Sequence, residues 1–77
     1  MFDYTKAKNI ASDILSDKVR ISTATFPGYY GDGYETWIFS RDDRVKTRQI
    51  WHRNKNKALS VHGHIVKNLR KVILAQS

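Results

Sequence analysis

The chain has no cysteine, a single proline and no acidic residue beyond position 43. Without cysteine, neither disulfides nor thiolate metal sites can form, which excludes the stapled secreted mini-protein and suits a reducing cytosol. No apolar run approaches the ~20 residues needed to span a bilayer. The segment from Met1 to Lys6 lacks the basic and then apolar pattern of a secretion signal. The expected setting is therefore cytoplasmic, with no membrane partner. Repeats, low-complexity tracts and linkers are also missing, so residues 1–77 read as one domain. A chain of 77 residues buries only a modest core. Its apolar content of 40% and its four glycines fit a folded domain and not a disordered one.

The charge is plentiful but unevenly placed. The net charge is +7, from fourteen Lys and Arg against seven Asp and Glu. All seven acids precede position 44, where five basic groups leave the first part at −2. Residues 44–77 carry nine basic groups and no acid, a local charge of +9. Such asymmetry attracts polyanions or an acidic partner surface. The plainer alternative is a solvated basic surface kept for solubility.

Ala7, Ile10, Ala11, Ile14 and Leu15 recur at helical spacing, which predicts a helix over 4–16. Asp3 is its expected N-cap, and Phe2 is placed to staple onto Ala7. Residues 18–26 are rich in β-branched side chains and predict a strand. Pro27-Gly28 and Gly31-Asp32-Gly33 mark the following turn, which holds Tyr29 and Tyr30. Residues 34–40 predict a second strand and 45–52 its hairpin partner, with Val45, Thr47, Gln49 and Trp51 expected to face inward. A final helix is predicted over 57–74, capped by Asn54 or Asn56. Ala58, His62, Ile65, Leu69, Val72 and Ile73 form its apolar side; Lys57, Ser60, His64, Lys67 and Lys71 form the opposite one. The expected fold class is α+β in the order α-β-β-β-α, a three-stranded antiparallel sheet packed against two helices.

Most site chemistries find no residues to carry them. His62 and His64 point about 200° apart on a helix and cannot share a metal, and His62 falls inside the apolar stripe as a core or boundary residue. No serine lies in a Gly-x-Ser-x-Gly turn. Asp42 and Asp43 are adjacent on a turn and should diverge into water. The glycines of the 28–33 loop do not introduce a helix, so a phosphate-cradling loop is missing. No catalytic residue, metal site or cofactor is expected, and the protein is read as a non-enzyme.

What remains is the basic cluster. Arg44, Lys46 and Arg48 fall on or near the third predicted strand, Arg53, Lys55 and Lys57 at the start of the last helix, and Lys67, Arg70 and Lys71 further along it. Phosphate contacts use such donors. Tyr29, Tyr30, Tyr34 and Trp51 would offer stacking surfaces for unpaired bases.

The α-β-β-β-α order, with Arg53-Asn54-Lys55-Asn56-Lys57-Ala58 entering the last helix, is similar in topology to the double-stranded-RNA-binding domain. That family sets a lysine cluster at this helix start across RNA phosphates. Its closely spaced lysine triplet and alanine-rich last helix are not reproduced. Tyr34-Glu35-Thr36, Trp37-Ile38-Phe39, an Arg-bearing return strand and Ala58-x-x-x-His62-x-x-x-Val66 resemble a group of small uncharacterised bacteriophage and prophage proteins over roughly residues 30–70. This resemblance implies a phage-encoded accessory protein in the host cytoplasm, of a kind used to bind nucleic acid or to occupy a host protein.

The sequence therefore predicts a small basic phage-type protein that binds nucleic acid through a helix and strand surface. The alternative is an interaction module docking on an acidic host or virion protein through Trp37, Phe39, Tyr29 and Tyr30. A homodimer through an edge strand or an open sheet face is compatible with either.

Overall fold

The computed structural model describes residues 4–28 and 31–75. A short 3-10 turn, Tyr4–Lys6, leads into four strands and one helix: β1 (Lys8–Ile14), β2 (Val19–Phe26), β3 (Gly33–Ser40), β4 (Arg48–His52) and α1 (Lys55–Leu74). The strands form an antiparallel meander in the order β1-β2-β3-β4. The α+β class holds, but the sheet has four strands and one long helix covers it.

The expected first helix is corrected to strand β1. Asn9 pairs with Ala24 while Ala11 pairs with Thr23, so Ile10 is an extra residue in the ladder. This bulge adds one position to a period of two. The apolar residues therefore recur at intervals that also fit a helix. Asn9, Ser12 and Asp13 are weak helix formers, and the exposed edge of β2 satisfies the segment's backbone groups instead. Asp3 and Phe2, the expected cap and staple, lie outside the described residues, as do Tyr29 and Tyr30. The four-strand order also removes the topological match to the double-stranded-RNA-binding domain.

The inner sheet face, towards the helix, is set by register. Thr23 opposes Thr36, Ile21 opposes Ile38, and Tyr34 opposes His52. Trp51 and Gln49 pair with Glu35 and Trp37 on the outer face. The expected inward set of the last strand is thus reversed: His52 is buried and Trp51 is 43% exposed. Val45 is buried as expected, but from the connection before β4 and not from the strand. The connection from β2 to β3 turns at Gly31, whose φ of +126° favours glycine.

Helix α1 starts at Asn54, whose Oδ1 accepts from the Lys57 amide at 3.1 Å. Its buried residues are Ala58, His62 and Val66. Ile65, Leu69 and Ile73 pack on the core of Val19, Ile21, Ile38 and Val45, whereas Val72, expected on the apolar side, is exposed. The core therefore has two halves. The half under the end of the helix is aliphatic, and the half under its beginning is polar.

Candidate functional site

Two surfaces and one buried cluster concentrate chemistry. The first surface is basic. Arg44, Lys46, Arg48, Arg53, Lys55, Lys57, Lys67, Arg70 and Lys71 are all exposed. Asp42 accepts from Arg44 Nε at 3.0 Å and from Nη2 at 2.7 Å, so that charge is largely compensated. Arg70 Nη2 lies 3.8 Å from Asp13 Oδ1. Among the described residues the other seven have no carboxylate partner. Lys57, Lys67 and Lys71 lie with Ser60 and His64 on the solvent side of α1, opposite Ala58, His62 and Val66. The stripe from Lys57 to Lys71 is about 21 Å long at the usual rise of a helix. Lys55 and Lys57 occupy the first turn, which holds no acid. There they oppose the positive end of the helix dipole, at a cost of roughly 0.3–1 kcal/mol each. Positive potential therefore accumulates where Arg53, Lys55, Lys57 and the first-turn amides meet.

The second surface is the outer sheet face. Trp37 and Phe39 stack with ring centroids 5.4 Å apart, and the Arg20 guanidinium caps Phe39 at 4.6 Å. Phe26 and Trp51 pair at 5.9 Å. Between the two pairs sits Glu35, 2% exposed, which accepts from Trp37 Nε1 and Gln49 Nε2. The rings pack against one another and present a ridge. Trp51 is separated from the helix stripe by the thickness of the sheet, so stacking residue and phosphate donors do not line one groove. At one end, Lys18, Arg20, Phe39 and Arg41 border an open cleft of about 510 Å³.

The cluster is internal. His62 Nε2 lies 2.8 Å from Asp13 Oδ2, and its Nδ1 lies 2.7 Å from Thr23 Oγ1. Thr23 Oγ1 lies 2.7 Å from Thr36 Oγ1, which lies 3.2 Å from His52 Nε2. Burial, and secondarily the charge of Lys57, holds the His52 pKa below its ordinary value. A carboxylate, an imidazole and a hydroxyl in sequence form the order used to activate nucleophiles. Here the hydroxyl of Thr23 is fully buried and already shared with Thr36, so a substrate meets it only if helix and sheet separate. Among the described residues no group of three His, Asp or Glu is placed to hold a metal ion.

No protein family, curated protein or solved structure matches this chain.

Asp42 does not diverge into water as expected; it holds Arg44 through backbone and side chain. Sequence reasoning missed Asp13, Thr23, Thr36 and the inward turn of His52. The available signal was His62 itself. A histidine inside an apolar stripe needs polar partners across the interface, and the threonines of two neighbouring strands were the candidates.

Proposed function

We propose that this protein is a small phage-type accessory protein that binds nucleic acid through the basic outer side of α1 and the adjoining β4 edge. The observation that carries this reading is the exposed, carboxylate-free set Lys46, Arg48, Arg53, Lys55, Lys57, Lys67 and Lys71. Two of its lysines are kept against the helix dipole, where a neutral or acidic residue would fold better. A stripe of about 21 Å matches roughly six phosphate steps along one strand. Contacts of this kind go to the backbone, so binding tolerates many sequences.

The test is fluorescence anisotropy of labelled duplex RNA, duplex DNA and single strands across a salt series. Affinity should fall with salt, and Lys57→Ala, Lys67→Ala and Lys71→Ala should each reduce the logarithmic salt slope by about one. No binding at low salt, where the attraction is strongest, overturns the reading.

One observation favours a second reading. Phe39 and Trp51 are 38% and 43% exposed on the outer face, which suits docking on an acidic protein with Arg20 at the rim. In that case Phe39→Ala and Trp51→Ala remove binding, and the helix lysines do not.

A further inference from the structure

Each strand and the helix contributes one member to the buried cluster: Asp13 from β1, Thr23 from β2, Thr36 from β3, His52 from β4 and His62 from α1. Every contact in that row needs one hydrogen, and each threonine has only one to give. With Asp13 ionised, it can only accept, so neutral His62 carries its hydrogen on Nε2. Its bare Nδ1 then accepts from Thr23. Thr23 has spent its hydrogen and must accept from Thr36, and Thr36 must accept from an Nε2–H of His52. All hydrogens point towards Asp13. With His62 neutral, any other arrangement leaves at least one contact without a hydrogen.

A second consistent arrangement arises when His62 holds two protons. Its Nδ1–H donates to Thr23, Thr23 turns to Thr36, and Thr36 turns to His52 Nε2. That nitrogen must now be bare, so a neutral His52 carries its hydrogen on Nδ1.

We propose that this row is a two-position proton relay, in which protonation of His62 reverses both threonine hydroxyls and switches neutral His52 from its Nε2–H to its Nδ1–H tautomer. The balance is one proton and no electrons. A proton from water forms the Nδ1–H bond of His52, and the Nε2–H bond of His52 breaks as its hydrogen passes to Thr36. The Thr36 hydrogen passes to Thr23, and the Thr23 hydrogen forms the Nδ1–H bond of His62. His52 keeps 8% of its surface exposed at one end of the row, and Asp13 keeps 37% of its side chain exposed at the other.

The surrounding charges give the relay a direction. Beside His52 the inner face carries Tyr34 of β3, and α1 adds the charge of Lys57, while Arg48 lies on the same face of β4 two inner positions away, opposite Ile38. Around His62 stand Asp13 of β1 and, beyond it, Arg70 of α1. The inner positions of β2, Val19, Ile21, Thr23 and Thr25, do not titrate. A cation at His52 meets Lys57, whereas a cation at His62 meets a carboxylate at 2.8 Å. The second arrangement thus places the added charge beside the Asp13 carboxylate and not beside Lys57, and a row with one hydrogen per contact accommodates one imidazolium and not two.

The experiment is a pH series of two-bond proton–nitrogen correlation spectra on the 15N-labelled full chain, which distinguish the tautomers of each ring. The expected result is one common midpoint at which His62 becomes imidazolium and His52 exchanges Nε2–H for Nδ1–H. Thr36→Ser should preserve the exchange; Thr36→Val should leave His62 titrating while His52 no longer follows. The relay is overturned if His52 keeps its tautomer through the titration of His62. It is equally overturned if both rings become imidazolium at one midpoint, or if the native spectrum collapses as His62 takes its proton. Should Thr36→Val not fold, the wild type and Thr36→Ser decide the matter.

Discussion

Asp42 shows how one side chain can hold a turn. Its hydrogen bonds to the Arg44 side chain and amide bring its pKa from the ordinary 3.8 to about 2. A carboxyl with a depressed value stabilises the fold above its ordinary pKa, and that contribution is lost as pH falls from 3.8 through about 2. Arg44→Ala should move the titration of Asp42 back towards the ordinary range, as read from its carboxyl 13C shift. His52 is also depressed, but it is a base. The folded state resists its protonation, so its contribution is present above the unfolded value of 6.5 and is lost as pH falls below it. The urea midpoint should drop across that window, and His52→Gln should flatten the drop. Thr23 carries a larger share of stability. Thr23→Val leaves His62 Nδ1 and the Thr36 hydroxyl short of a partner, at about 1–3 kcal/mol for each group left unsatisfied. Equilibrium urea denaturation measures the loss.

At the scale of elements, α1 offers two opposite tests. Gly63 sits inside the helix with an exposed Cα, and a Cβ built there meets nothing within 4 Å. Gly63→Ala should raise stability by about 1 kcal/mol through helix propensity alone. Lys57 stands three residues after the Asn54 cap. Lys57→Glu removes a charge that opposes the dipole and lets the new carboxylate reach back to the cap amide, so the thermal midpoint should rise while polyanion binding weakens. A variant in which both properties fall together would show that Lys57 serves the fold. The same elements show how far the sequence could be read. β2, β3 and α1 were legible because each keeps one period from end to end, and Asn54 was among the caps read from the chain. β1 was not, because the bulge at Ile10 mixes two periods and only its neighbour β2 decides between them. In β4 both faces hold polar and apolar groups, and Val45 reaches the core from outside the strand. The face was therefore set by the partners waiting for His52 and not by hydrophobicity.

At the scale of the whole molecule, the helix turns a basic side outwards and the sheet turns an aromatic ridge the other way. The list of basic residues was legible from composition; their separation from Trp51 required the register of β4. Two opposed surfaces also separate two kinds of assembly. Self-association through the ridge should persist in high salt and fade with Trp51→Ala, whereas polyanion binding should fade with salt and ignore that change. Sedimentation velocity at two ionic strengths distinguishes them.

The row from Asp13 to His52 takes one member from every strand and from the helix. A chain that lacks any one of these segments breaks the row and takes a hydrogen-bond partner from a polar group between helix and sheet. The protein therefore has no favourable half-built form. Its amides should exchange with heavy water through a single shared opening, and two fragments cut within the 27–32 connection should remain unstructured apart and gain structure only on being mixed.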